Sequence, residues 1–260
     1  ILGIEFPLVA FSHCRDVVAE VSRAGGFGVL GATAFSPEQL EVELKWIDDH
    51  VDGKPYGIDV LIPENFAVKP EEGLNSRTLA ERIGPEYKEF VDRLLSTHGI
   101  DPDMEISHRT LGDGPVPFAP DEAMRLLEVA FNHPIKLIVN ALGKPPQEMV
   151  DMGRQHGVPV GALAGAKEHA VRLADAGCDI IVAQGGEAGG HCGEVSTLVL
   201  IPEVVQALKG RDIPVLAAGG IMNGSQMAAC MAMGAAGAWT GSVWLATTES
   251  ETSETFREKM

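Results

Sequence analysis

A chain of 260 residues with 45% hydrophobic content can bury a full core, and the expectation is one domain over 1–260. Its 20 Lys and Arg stand against 37 Asp and Glu, a net charge of −17 that argues against nucleic acid or an anionic membrane surface as partner. Any phosphate must therefore be held locally, by backbone N–H groups at loops and helix N-termini.

Taken in chain order, apolar runs of strand type fall at 6–11, 27–30, 56–62, 135–140, 158–163, 179–184, 213–218 and 237–241. Between them, helical spacing appears at 15–23, 37–49, 121–131, 145–156, 166–176, 201–208 and 224–233. Ser36-Pro37 opens a helix as cap and first residue, and Gly157 and Gly177 close helices before strands. Eight repeated βα units predict an α/β fold, a (β/α)8 TIM-type barrel. An open doubly wound sheet would more often place its glycine-rich turn after the first strand, whereas here such turns follow strands six to eight.

Residues 63–120 break the rhythm and hold seven of the 16 prolines, so they form an insertion after the third strand. Within it Tyr87, Phe90, Val91, Leu94 and Leu95 have helical spacing and Gly99 is a stop, which predicts one packed amphipathic helix. The insertion is read either as a surface excursion or as a lid, because it leaves a strand end on the face where barrel active sites lie. Only 251–259 could form an eighth helix, and the chain is expected to continue past Met260 and to lack N-terminal residues.

The four cysteines, Cys14, Cys178, Cys192 and Cys230, form no C-x-x-C pair and read as reduced thiols of a cytoplasmic protein. Nothing at Ile1 resembles a signal peptide, and no run is long and apolar enough for a membrane span. No H-E-x-x-H motif or carboxylate cluster supports a metal site.

The densest chemical signal runs from Ala183 to Gly193 after the sixth strand, with five glycines around His191. Glycine lets backbone donors approach a ligand closely, and a lone His among glycines has little to pack against. A second signal is Ala217-Ala218-Gly219-Gly220 leading to a helix at Ser225, and a third is Thr240-Gly241-Ser242 after the eighth strand. Together they match the phosphate site that barrels build after strands seven and eight. His98, His133, His156 and His169 are expected to be solvated, while His13 and His108 are left open. Cys192 beside His191 reads as a buried free thiol rather than a nucleophile.

These residues resemble the nitronate monooxygenase family of FMN-dependent barrels. The resemblance is carried by Ala24-Gly25-Gly26-Phe27-Gly28-Val29-Leu30-Gly31, Ala176-Gly177-Cys178-Asp179, Gln184-Gly185 with Glu187-Ala188-Gly189-Gly190-His191, and Ala218-Gly219-Gly220-Ile221. It implies that FMN is the cofactor, that His191 lies over it as the catalytic residue, and that Ala188, Gly189 and Gly190 contact it through their backbone. It further implies that Gly219, Gly220, Gly241 and Ser242 hold its phosphate, with Gln184, Gly185 and Ala218 completing the cofactor set. The chain departs from the pattern at Phe11-Ser12-His13-Cys14, where a Pro-Met pair is common, and at Asp59, where Asn is usual.

The implied reaction is oxidation of an alkyl nitronate by dioxygen to a carbonyl compound and nitrite. The flavin carries the redox chemistry, and the imidazole of His191 either removes an α-proton or hydrogen-bonds the nitro group. A flavin-dependent enoyl-thioester reductase using NAD(P)H is the second reading, and a flavin-binding protein without turnover the third. The expected partners are a small-molecule substrate and dioxygen, with no prediction of oligomeric state.

Overall fold

The computed structural model describes residues 1–33, 35–64, 76–101 and 119–260. Eight parallel strands close into a barrel in sequence order, with β1 paired to β8. They are β1 (Leu8–Ser12), β2 (Phe27–Gly31), β3 (Tyr56–Val60), β4 (Ile138–Asn140), β5 (Val160–Ala164), β6 (Ile180–Gln184), β7 (Val215–Ala218) and β8 (Gly237–Thr240). All eight expected runs contain a strand. Their continuous apolar character has a simple cause, since both faces of each strand are covered.

Alternate residues serve different layers. Val9, Val29, Val139, Val182 and Trp239 meet other strand residues and fill the barrel interior. Their neighbours Leu30, Ile58 and Ile138 point outward under Leu40, Leu44 and Leu127 of the helical layer. A second outer cluster joins Ala162, Ile181 and Ala217 to Leu173, Leu200 and Val204. Each fully buried Val, Leu or Ile side chain contributes about 1.5–3 kcal/mol.

The helices are α1 (Arg15–Arg23), α2 (Pro37–His50), α3 (Ser76–Glu81), α4 (Pro85–Thr97), α5 (Pro120–Phe131), α6 (Gln147–His156), α7 (Lys167–Asp175), α8 (Thr197–Ala207), α9 (Gly224–Ala232) and α10 (Glu254–Arg257). Ser36 and Gln39 form a reciprocal capping box on α2, with Pro37 in the first turn as the sequence indicates. Asn223 and Gln226 do the same for α9. Gly157 ends α6 at φ +65°, the left-handed region that a side chain would disfavour.

Several expectations are corrected. α8 starts at Thr197 rather than 201 and carries Pro202 in its interior. A short 3-10 turn, Ser242–Ala246, follows β8 where none was expected. Among its described residues the insertion carries two helices, α3 and α4, rather than one, and no residue of α4 is buried. Tyr87, Phe90, Val91 and Leu94 are exposed instead of packed, because periodicity sets an apolar stripe without fixing what covers it. The rest of the expected lid, and His108, lie outside the described residues. His133 is not solvated either: its side chain is 8% exposed, with Nδ1 2.6 Å from Asp48 and Nε2 3.2 Å from Glu41.

Candidate active site

Three loops meet at the C-terminal rim of the barrel. The loop after β6 is tied to β7 where the Gly185 N–H donates to the Ala218 carbonyl at 2.9 Å, and it folds on itself through Ala188 N–H to Gly185 O at 3.1 Å. Gly219 follows β7 at φ +112°, and a Cβ there would meet Thr197 Oγ1 at 2.5 Å and Gly185 O at 3.1 Å, so both backbone angle and space require glycine. A Cβ on Gly189 would lie 2.9 Å from Ser242 Oγ, and one on Gly220 3.1 Å from Glu187 Cβ. Thus Gln184, Gly185, Ala188, Gly189, Ala218, Gly219, Gly220, Gly241 and Ser242 come to one side of the mouth. Gly190 and His191 extend from it exposed, and His191 makes no hydrogen bond or ion pair among the described residues.

Glu187 holds this loop in place. The backbone N–H and the hydroxyl of Thr197 both donate to its carboxylate at 2.7 Å. These two donors, the N–H first, hold the Glu187 carboxyl below its ordinary range. The contact satisfies the first turn of α8, which is why that helix extends upstream of Pro202. Thr197 Oγ1 also lies 3.0 Å from the Gly219 carbonyl, so one buried hydroxyl sits between the β6 and β7 loops. Sequence reasoning missed Thr197 by starting the helix four residues late, although Ser196-Thr197 carried a capping signal.

The rim fits a phosphate. None of the backbone N–H groups of Gly219, Gly220, Gly241 and Ser242 donates to a protein acceptor among the described residues. Four unpaired donors and the Ser242 hydroxyl suit an anion without a basic patch. The adjoining wall is aromatic, with Phe11 stacked on Trp239 at 6.2 Å and edge-on to His13 at 5.1 Å. His13 Nδ1 lies 2.9 Å from the Gly31 carbonyl, which holds the ring over the end of β2. On β3, Asp59 faces the interior at 2% exposure, and burial pushes its carboxyl well above the ordinary range. A lone acid within an apolar strand was the signal for it.

Cys192 is exposed, against the expected burial, with Sγ 3.6 Å from Gly186 O. The glycine loop offers it no core to enter. A cavity of about 330 Å³ lies away from this rim, between α1 and the segment after β8, and is lined by Leu8, Val17, Val21 and Trp244.

The fold is a (β/α)8-barrel whose loops after β6, β7 and β8 converge on one side of its mouth. The nitronate monooxygenase family model matches residues 4–260, and the chain belongs to that family of flavin-dependent oxidoreductases. It is 52% identical over 259 residues to Rv1533 of Mycobacterium tuberculosis, whose name gives monooxygenase and no substrate; the match spans 100% of this chain and 68% of that protein. It is 27% identical over 274 residues to a Staphylococcus saprophyticus protein named for nitronate monooxygenase, covering 99% of this chain and 70% of the other. Among solved structures, a nitroalkane oxidase from Streptomyces ansochromogenes superposes with a TM-score of 0.77 at 27% identity, covering 98% and 70% of the two chains. No helix among the described residues is long and apolar enough to cross a membrane.

Proposed function

We propose that the protein binds FMN and oxidises alkyl nitronates with dioxygen, giving a carbonyl compound and nitrite. The observation that carries this reading is the rim itself: four backbone donors without protein acceptors at the ends of β7 and β8, beside a glycine loop that ends in an exposed imidazole. The backbone of Gly219, Gly220, Gly241 and Ser242 would hold the terminal phosphate, and Ala188, Gly189 and Gly190 would line the ring system. When bound, the flavin would supply the redox chemistry between substrate and dioxygen, the latter leaving as a reduced oxygen product. The chain orients the substrate, and His191 takes the α-proton of a neutral nitroalkane on its imidazole or donates a hydrogen bond to a nitro oxygen.

The test is one spectrum with anaerobic titrations. The purified protein should be yellow, release FMN on denaturation, and bleach with propionate-3-nitronate but not with NADH or NADPH. Bleaching by a nicotinamide alone would overturn the nitronate reading in favour of an enoyl-thioester reductase. Colourless protein that fails to take up FMN would overturn the cofactor.

A further inference from the structure

Asp59 is the penultimate residue of β3, and its register partners are Gly31 at the end of β2 and Val139 of β4. Val139 belongs to the apolar interior, so Asp59, beside it in a parallel ladder, points the same way. The residue is 2% exposed and its carboxyl has no hydrogen-bond partner among the described residues. No fully enclosed side-chain nitrogen or oxygen among them is left unpaired, so what exposure Asp59 keeps lies at its carboxyl oxygens. Asp59 lies one residue from the C-terminal end of β3, the end at which the barrel opens.

Among the described residues no charge answers it there. Gly31 and Val139 do not titrate, and the titratable group that reaches this corner from β1 is His13, whose Nδ1 is engaged with the Gly31 carbonyl. On the loop leaving β3, Glu64 turns to Arg172 at 3.6 Å, and Lys144 after β4 is exposed. A carboxylate facing apolar walls without a cation or an N–H donor is costly, whereas a neutral acid has one O–H to give. In a ring of eight strands β3 stands opposite β7. A ligand anchored by its phosphate at β7 and β8 that spans the mouth brings its far end to Asp59.

We propose that Asp59 is a neutral carboxylic acid that donates a hydrogen bond to an acceptor atom at the far, carbonyl-bearing end of the bound flavin. The assignment rests on the flavin reading above. The donor exists only while the acid is protonated, so flavin affinity is set by pH: ionisation removes the hydrogen bond and turns a negative charge toward carbonyl oxygen.

Infrared spectroscopy and FMN titration across pH test this on the intact protein. A protonated-acid carbonyl band should be present at neutral pH, be absent in Asp59→Asn, and move on loading with FMN. The FMN dissociation constant of the wild type should rise by about tenfold between mildly acidic and alkaline pH relative to Asp59→Asn, which keeps a donor and cannot ionise. Absence of the band, or a band that FMN leaves in place while flavin binds, would overturn the assignment and leave the cofactor standing. A band moved by the nitronate and not by FMN would likewise transfer the donor to the substrate and overturn it. Failure of the wild type to take up FMN at any pH would overturn the cofactor reading and the assignment together.

Discussion

Glu187 and Thr197 fasten the glycine loop after β6 to the first turn of α8, through two hydrogen bonds of 2.7 Å onto one carboxylate oxygen. The acid within the motif Glu187-Ala188-Gly189-Gly190-His191 is thus occupied with its own loop and is not available for chemistry. A glycine-rich segment has much conformational entropy to lose, and this clip offsets part of that loss before any ligand arrives.

Thr197→Val removes the hydroxyl that lies between Glu187 and the Gly219 carbonyl while keeping the shape of the side chain. It should lower stability by about 1 kcal/mol and weaken FMN retention, with the barrel intact by circular dichroism. Retention equal to wild type would show that the loop holds its form without the clip. The Glu187 part has a pH signature. Its folded pKa is depressed, so its contribution is present above the ordinary carboxyl value of 4.5 and is lost as pH falls through the folded value. Acid titrations of wild type and Glu187→Gln should therefore converge at the acid end, and a constant gap would contradict this.

Asp59 has the opposite sign. Its folded pKa is raised by burial, so the folded state binds the extra proton, and stability is fully present below the ordinary value of 3.8 and declines as pH rises toward the folded value. Asp59→Asn should accordingly melt higher than wild type at alkaline pH, with the gap closing on acidification. Thermal melts of the FMN-free protein at a series of pH values measure this. A variant that melts lower at every pH would mean that the carboxylate is a structural group.

The barrel was legible because each strand run is bounded by punctuation: Ser36-Pro37 opens α2 and Gly157 closes α6 where the sequence says they should. The glycine clusters after β6, β7 and β8 stand where three loops meet, since glycine marks where backbone must approach backbone. What was not legible depended on tertiary partners. The start of α8 rests on Glu187, ten residues upstream. His133 is enclosed by carboxylates of α2, over eighty residues away in sequence. The exposed stripe of α4 shows the same limit from the other side: its period is encoded locally and its cover is not.

Gly219 and Gly241 separate two kinds of damage. Gly219→Val places a Cβ against Thr197 and Gly185 at a positive φ, so it should destabilise the loop itself as well as lose FMN. Gly241 has φ −127°, and a Cβ there meets only Phe11 Cδ1 at 3.8 Å. Gly241→Val should therefore keep the wild-type melting temperature without flavin and still bind FMN more weakly. If both variants bound FMN like wild type, the phosphate would lie elsewhere.

Thiol reactivity should divide the cysteines sharply. Cys14, Cys178 and Cys230 are buried, and burial pushes the Cys178 thiol up to about 12, which leaves little reactive thiolate. Cys192 is exposed beside His191. Native protein treated with a maleimide should be labelled at Cys192 first, as read by peptide mass spectrometry, and bound FMN should slow that labelling if it covers the loop. Equal labelling of Cys178 would show that its part of the outer layer opens readily.

His191 has no hydrogen-bond partner among the described residues and stands exposed at the end of a loop whose backbone is otherwise committed to Gly185, Val195 and the rim. Nothing in the fold depends on its imidazole. His191→Asn should therefore keep the melting temperature and the FMN content of wild type. If the imidazole acts as general base, oxidation of neutral nitroalkanes should slow by about 10²–10⁴-fold, because the α-proton then has no acceptor. Preformed nitronates have already lost that proton, so they should be affected less, with only orientation and the hydrogen bond to the nitro group removed. Steady-state kcat/KM on a nitroalkane and on its own nitronate, measured side by side, separates the cases. Equal losses on both would assign His191 to substrate positioning, and no loss on either would remove it from the reaction.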